Sequence, residues 1–277
     1  MISENLIEFS TSYWVHDFSP FLWQFPAPYS DWGPGGIRWY GISYLMGFIT
    51  AGILLKVAWK KGKSPYDSEQ AMNLLTFQIL GVLLGGRIGY ILFYNFGYYI
   101  SNPFDILKIW EGGMSFHGAL IGIILGTYWF SIKKDIQTFF LLDIIAFVAP
   151  IGIFFGRIAN FINGELVGKT TNVFWGVIFP KIDDSIRHPS QLYEAFLEGV
   201  VLFTIMNLIL FRKNYKTGTC SYVFLIFYGI FRIFSELFRE PDAQIGYLFN
   251  LISMGTILSF FMILAGTIIF LKKDDIK

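Results

Sequence analysis

The sequence predicts an all-α integral membrane protein with about seven transmembrane helices, its N-terminus outside and its C-terminus cytoplasmic. Three observations carry this reading. Of 277 residues, 54% are hydrophobic and only 15% charged, with a mean hydropathy of +0.53, whereas a soluble domain carries about 25% charged residues. Apolar stretches of roughly 17 to 25 residues, the length that crosses about 30 Å of hydrocarbon, recur along the chain. Lysine and arginine are abundant in every second loop and sparse in the others, which sets orientation.

The elements follow in order. Residues 1–37 contain no basic region ahead of an apolar core, so they are not expected to be a cleaved signal peptide. They are rich in aromatic residues, including Trp14, Phe21, Trp23 and Trp32, and read as an interfacial arm on the outer face. Apolar stretches lie near 38–58, 72–95, 116–132, 139–157, 190–211, 219–238 and 246–271. Together they make residues 38–271 the membrane domain, and 272–277 a cytoplasmic tail. A short loop joins 116–132 to 139–157, which suits a helical hairpin.

One set of ends carries Lys56, Lys60, Lys61, Lys63, Lys133, Lys134, Arg212, Lys213, Lys216, Lys272, Lys273 and Lys277. The opposite loops carry only Lys108, Lys169, Lys181, Arg187 and Arg239. Cytoplasmic loops are the lysine-rich ones, so the C-terminus is expected inside, and an odd number of spans puts the arm outside. Arg38, Arg87, Arg157 and Arg232 are left within or at the edge of spans, all toward the outer side, and His117 opens the third span there. Charges at that depth face a protein interior or a water-filled cavity. A single polar cavity opening toward the outer leaflet is therefore expected. Snorkelling to the interface is an alternative for Arg38 and Arg157.

Several classes are set aside. A net charge of +1 and the lack of a basic patch give no sign of a nucleic-acid partner. The single cysteine, Cys220, has no partner within the chain for a disulfide and reads as an ordinary small helix residue. His16, His117 and His188 are far apart, with no ligand-like neighbours, so no metal is expected. Gly164 to Thr170 ends in Gly-Lys-Thr but lacks the earlier glycine of a nucleotide loop. No cofactor is implied. Stripes at Gly81, Gly85, Gly89 and at Gly118, Gly122, Gly126, with the pair Gly152 and Gly156, predict helices in close approach.

The chemistry concentrates in a few stretches. Gly156-Arg157-Ile158-Ala159-Asn160-Phe161-Ile162-Asn163-Gly164-Glu165-Leu166-Val167-Gly168 follows an apolar run and brings a guanidinium, two amides and a carboxylate together. That set suits a grip on phosphate, with the arginine oriented by an ion pair; plain interhelical hydrogen bonding is the alternative. Tyr228, Arg232 and Glu236 follow at four-residue spacing, with Arg239 three further on, so they share one helix face. A self-contained Arg232–Glu236 pair is the alternative there. With Arg87 and Arg157 added, the positive charge exceeds what one glutamate balances, and a bound anion would restore balance. The run Glu111 to Gly118 is a glycine-rich turn into the third span. His117 within it suits a general base or a structural cap. His188-Pro189-Ser190-Gln191-Leu192-Tyr193-Glu194 opens the fifth span, with His188 and Gln191 structural or substrate-orienting.

These stretches resemble prolipoprotein diacylglyceryl transferases. The Gly156 to Gly168 run matches that family's signature at every position, with Ala159 as the permitted alternative to glycine. Trp39-Tyr40-Gly41, the Glu-Gly-Gly-Met run before His117, the His188 to Glu194 run, the Tyr228 to Asp242 run and Ser253-Met254-Gly255 continue the resemblance in order. It covers the chain from Trp39 to about Leu258, and makes residues 38–271 the catalytic domain. It implies transfer of the diacylglyceryl group from phosphatidylglycerol to the lipobox cysteine of prolipoprotein signal peptides, with release of glycerol phosphate, at the outer leaflet of the bacterial inner membrane.

The resemblance also implies roles. Arg157 and Arg232 would stabilise the departing phosphate, His117 would help deprotonate the thiol, and Tyr40 would matter for activity. Glu165 and Glu236 would orient the arginines. Asn160, Asn163 and Tyr228 would position the head group, with Arg87 and Arg239 completing the substrate site. Membrane lipids are the remaining partners. A transporter for an anionic solute would instead predict inverted repeats, of which the chain has no clear instance. A non-catalytic lipid-binding protein would need no histidine or tyrosine beside its phosphate site.

Overall fold

In lipid every backbone hydrogen bond has to be made within the segment, so long apolar runs fold as helices, and the chain is mostly helical. The computed structural model describes residues 13–25, 36–64, 68–108, 113–241, 247–248 and 252–272. Trp32, Glu111, Gly112, Asp242, Lys273 and Lys277 fall outside these. The helices are α1 (Trp39–Lys60), α2 (Ser68–Tyr94), α3 (Phe96–Ser101), α4 (Phe116–Lys134), α5 (Thr138–Asn163), α6 (Ser190–Glu194), α7 (Leu202–Leu210), α8 (Thr219–Glu236) and α9 (Met254–Leu271). A π-helical stretch, Ala195–Val201, runs α6 into α7. Among the described residues six segments are long and apolar enough to cross a membrane: Trp39–Lys60, Met72–Leu92, Thr138–Asn163, Ser190–Leu210, Thr219–Glu236 and Met254–Leu271. α4 covers the third expected stretch and is not among the six.

The expectation of an all-α chain needs correction, because seven short strands are also present among the described residues. They are β1 (Trp14–Val15), β2 (Phe21–Gln24), β3 (Gly36–Arg38), β4 (Val177–Ile178), β5 (Ile186–Arg187), β6 (Tyr247–Leu248) and β7 (Ile252–Ser253). Two boundaries also move. β6 pairs antiparallel with β7, so the last helix begins at Met254 rather than near 246. α5 runs through the polar signature to Asn163 instead of stopping near 157.

The chain divides into two compact units. The first comprises Met1–Gly47, Pro150–Leu202 and Ile226–Leu264. Its three-stranded sheet has the order β1-β4-β5, with β1 parallel to β4 and β4 antiparallel to β5. β1 belongs to the N-terminal arm, which is fastened into this unit. His16 donates its backbone N–H to Ile178 O at 2.8 Å, and its Nε2 lies 2.7 Å from Phe161 O. The imidazole sits among Trp14, Phe18, Phe161 and Phe179. Phe161, Val167, Val177 and Phe179 form a core here, with Leu192 packed against it. β2 and β3 make a hairpin in which Arg38 stacks on the Phe21 ring at 5.1 Å.

The second unit comprises Phe48–Ala149, Phe203–Leu225 and Ala265–Lys277. Its α2 and α4 meet along the expected glycine seam. A Cβ on Gly81 would strike the backbone of Gly122, and one on Gly85 would strike the backbones of Gly118 and Gly122. Gly89 presses on Gly118 in the same way. The third expected pair does not form a seam, since a Cβ on Gly152 or Gly156 would meet open space. Asp143 of α5, fully buried, accepts from the Tyr215 hydroxyl, from Gly218 N at 2.5 Å, and from Ser221 N and Oγ at 2.7 and 2.6 Å. It satisfies backbone donors that the start of α8 would otherwise leave open.

The seam makes a stability prediction. Gly85→Val should destabilise the protein by at least about 1–3 kcal/mol, the range for overpacking a tight contact. Gly97→Ala, at a position open to space, should leave the melting temperature in detergent within a degree or two (roughly) of the parent. Equal melting of both variants would remove the seam from the account.

Candidate active site

The signature stretch ends α5 in a defined turn. Gly164 has φ +67, its N–H donates to Phe161 O at 3.0 Å, and Glu165 N donates to Asn160 O at 3.1 Å. That pair of bonds is a Schellman cap, which fills the last helical carbonyls. In such caps the residue after the glycine commonly makes an apolar contact back to the helix. Here the contact is polar. Asn160 Nδ2 donates to Glu165 Oε1 at 2.8 Å, and Asn163 Nδ2 reaches the same oxygen at 3.2 Å. Glu165 was expected to orient an arginine; its carboxylate gathers the two amides instead.

The His188 to Glu194 run clamps that turn from the other side. Gln191 Nε2 donates to Glu165 O at 2.7 Å, and Ser190 Oγ to Leu166 O at 3.2 Å. Leu166 is itself held at φ +56. Gly168, the last signature residue, lies where a side chain would strike His188 O and Phe238 O. Its N–H donates to His188 O at 3.0 Å, and Lys169 N to Phe238 O at 2.8 Å. Lys169 Nζ also donates to the carbonyls of Glu236 and Leu237, at 3.3 and 3.0 Å, where α8 ends. Nearby, His188 Nδ1 and Trp175 Nε1 lie 3.1 and 2.6 Å from the Tyr193 hydroxyl. Partial burial pushes the His188 imidazole below its ordinary value, favouring the neutral ring. Arg187 braces the same loop through Asp183, Gly168 O and Glu240. Its guanidinium holds the Asp183 carboxyl down at about 2.

The ionic centre lies where α5, α6 and α8 meet within the first unit. Arg157 Nη1 lies 2.7 Å from Glu194 Oε2, and Arg157 Nη2 lies 3.1 Å from Glu198 Oε2. Arg232 Nη1 lies 3.1 Å from Glu194 Oε2 and 3.9 Å from Glu198 Oε1, while its Nη2 pairs with Glu236 Oε1 at 2.5 Å. Arg239 Nη1 reaches Glu194 Oε1 at 3.2 Å. One carboxylate, Glu194, thus joins three guanidiniums. Tyr228 is buried in the same electrostatic environment, interacting with Glu198, Arg157, Arg232 and Glu194. Gly255 at the start of α9 is the close-approach position against Glu236 and Arg232, where a Cβ would collide with the Glu236 carboxylate and crowd Arg232 Nη2.

The expected surplus of positive charge is corrected by this arrangement. Among the described residues Arg157, Arg232 and Arg239 face Glu194, Glu198 and Glu236, three guanidiniums to three carboxylates. Glu194 and Glu198 were missed as site residues, although a carboxylate in a membrane-length apolar run is itself a signal. Of the four arginines expected to gather, Arg157 and Arg232 meet in this centre. Arg38 stacks on Phe21. Arg87 belongs to the second unit and donates to Ile106 O, Gly113 O, Asp105 O and Lys108 O at 2.9, 3.3, 2.6 and 3.2 Å. It thereby holds the loop that leads to α4. At the head of α4, Ser115 Oγ accepts from Gly118 N at 3.2 Å. His117 is the second residue of α4, and its side chain lies outside the described residues. Tyr40 stands at the start of α1 with its ring 5.3 Å from Tyr44, and Tyr44 interacts electrostatically with Glu165.

Comparison with known proteins covers most of the chain. The family model described as prolipoprotein diacylglyceryl transferase matches residues 29–272. Three similar proteins bear the name phosphatidylglycerol–prolipoprotein diacylglyceryl transferase. One from Rickettsia bellii (strain OSU 85-389) is 48% identical over 244 residues, 87% of this chain and 93% of its own length. One from Ehrlichia canis (strain Jake) is 51% identical over 238 residues, 84% of this chain and 90% of its own. One from Aeromonas hydrophila is 48% identical over 239 residues, 85% of this chain and 86% of its own.

The network predicts an asymmetry between its members. Glu194→Ala strips three guanidiniums of their shared partner and should destabilise the protein by about 3–5 kcal/mol, as breaking a buried pair does. Asp183→Ala, at a partly exposed pair, should change stability by less than about 1 kcal/mol. Thermal unfolding in detergent compares the two; an equally small effect at Glu194 would dissolve the network as a structural unit.

Proposed function

The chain belongs to the prolipoprotein diacylglyceryl transferase family and is a transferase of lipoprotein maturation, and we propose that its reaction runs at the arginine–glutamate centre of α5, α6 and α8. The donor is phosphatidylglycerol, and the acceptor is the lipobox cysteine thiol of a prolipoprotein signal peptide. The thiolate attacks the diacylglyceryl carbon next to the phosphate. A C–S bond forms, the C–O bond breaks, and its electron pair leaves with the phosphate oxygen of glycerol phosphate.

The observation that carries this reading is the convergence on Glu194 of Arg157 and Arg232, both inside membrane-length helices, and of Arg239 just beyond α8. Preorganised guanidiniums in a water-poor site stabilise charge that develops on a departing phosphate. Arg157 and Arg232 take that role, with Glu236 orienting Arg232 and Arg239 closing the set. Asn160 and Asn163, held by Glu165, position the head group together with Tyr228. Tyr40 acts at the same end of α1. His117 assists loss of the thiol proton. Arg87 serves the lipid site and holds the loop before His117.

The membrane placement completes the reading. Counting α4, about seven helices span the bacterial inner membrane, with the N-terminus outside and the C-terminus cytoplasmic. The site then faces the outer leaflet, residues 38–271 form the catalytic domain, 272–277 the cytoplasmic tail, and the aromatic arm lies along the outer surface. Exposed Trp14, Phe18, Leu22, Trp23 and Phe25 support that position for the arm.

Purified protein in detergent, given phosphatidylglycerol and a lipobox peptide with a free cysteine, should yield the diacylglyceryl peptide and glycerol phosphate by mass spectrometry. Arg157→Ala should lower turnover at least about a hundredfold, the scale for losing one oxyanion-type donor. His117→Gln should lower turnover at neutral pH by roughly a hundredfold or more. Near-normal turnover by His117→Gln would remove the base assignment, and by Arg157→Ala the phosphate-stabilising one.

A further inference from the structure

We propose that Glu198 takes up a proton when the phosphate of the donor lipid enters, and so keeps the buried centre neutral as negative charge accumulates. The proposal rests on the transferase reading above and adds a proton to its binding step.

Three features single out Glu198. It is fully buried, yet its Oε1 has no hydrogen-bond partner among the described residues. The closest charged group to that oxygen is Arg232 Nη1 at 3.9 Å, and that nitrogen makes no hydrogen bond of good geometry either. The other members are differently placed. Glu194 meets guanidiniums through both oxygens, and Glu236 makes the shortest ion pair of the centre. Protonating either would displace hydrogen bonds already made, whereas a proton on Glu198 Oε1 displaces none at that oxygen and leaves Arg157 on Oε2 as a hydrogen bond. The groups facing Glu198 are Arg157 from α5, Arg232 and Tyr228 from α8, and Glu194 one turn back on its own segment.

The chain places Glu198 there by two devices. It lies inside the π-helical stretch Ala195–Val201, and such stretches are frequent at functional sites. Its neighbour Gly199 rests against Phe154 so closely that a Cβ would collide with that residue, which lets this segment approach α5 and Arg157.

Charge accounting makes the proton necessary. Among the described residues the resting centre sets three guanidiniums against three carboxylates. A phosphodiester adds one negative charge, and the departing phosphate monoester would carry a second. An uncompensated charge is strongly unfavourable in a buried site. A proton from solvent on Glu198 cancels the first charge. As the C–O bond breaks, that proton passes to the phosphate monoester, which leaves singly charged. The thiol proton departs separately through the base, and Glu198 returns to its carboxylate form.

The test is calorimetric and needs no variant to begin. Full-length protein in detergent is titrated with phosphatidylglycerol between pH 7 and 9, in buffers of different ionisation enthalpy. The wild type should take up close to one proton per lipid bound, and its affinity should fall by up to about tenfold per pH unit over the range of uptake. Glu198→Gln, which mimics the protonated form, should bind the lipid with no proton uptake and little pH dependence. Binding by the wild type without uptake, or undiminished uptake by Glu198→Gln, would overturn the proposal and leave the transferase reading standing. Absence of both lipid binding and diacylglyceryl transfer in the wild type would overturn the two together.

Discussion

Everything at the candidate centre follows from one constraint: a guanidinium taken out of water must be met by negative charge at hydrogen-bonding distance. Arg157 and Arg232 stand in long apolar helices with their guanidiniums largely buried. Glu194 resolves this for both at once, through one oxygen at 2.7 and 3.1 Å. Because that oxygen is shared, the ends of α5 and α8 are fixed relative to α6. Arg239, on the other oxygen of Glu194, extends the same tie beyond the end of α8. The ionic network is therefore the joint of this unit as well as its chemistry.

The polar motifs divide their work along the same lines. Asn160, Asn163, Gly164 and Glu165 together end α5 in a cap whose usual apolar contact is replaced by amide-to-carboxylate bonds. Ser190 and Gln191 hold the carbonyls that follow. Gly168 and Gly255 are glycines because another chain segment occupies the space a side chain would need. A substitution at any of these positions moves the arginine partners, so loss of turnover alone cannot separate a binding role from a shaping one. Glu198→Gln, which spares the cap and keeps every guanidinium in place, is the substitution that reports on chemistry.

Hydropathy made most of the fold legible, because length and apolarity alone define a spanning segment. The α2–α4 seam was legible too, since glycines four residues apart leave few other readings. The strands were not, because pieces such as Val177–Ile178 and Ile186–Arg187 are too short to show a period of two. The arm was read as interfacial from its tryptophans, and nothing in its sequence signalled that His16 would anchor it to Phe161 O. At the centre, the arginines stood out and their partners did not. Glu194 closes a recognisable motif, but its contact to Arg157 joins segments far apart in sequence, and Glu198 lies in an apolar run with no motif around it. Arg87 was drawn into the group by depth alone; its carbonyl partners come from a loop whose path the sequence does not describe.

Asp143 and Glu198, both fully buried, show what separates a structural charge from a working one. Asp143 receives four donors, two on each oxygen, from Tyr215, Gly218 and Ser221. It has nothing left to offer a proton or a ligand, and it does what a capping residue does. Glu198 has one oxygen filled by Arg157 and one left over. A fully satisfied pair would have been easier to fold, since an unfilled buried acceptor is unfavourable. A centre that must admit a phosphate, see its charge double and then let it go needs somewhere for charge to be taken up. A network of three guanidiniums and three carboxylates, with one of the carboxylates only half engaged, meets that need without leaving bare arginines exposed to hydrocarbon when no lipid is bound.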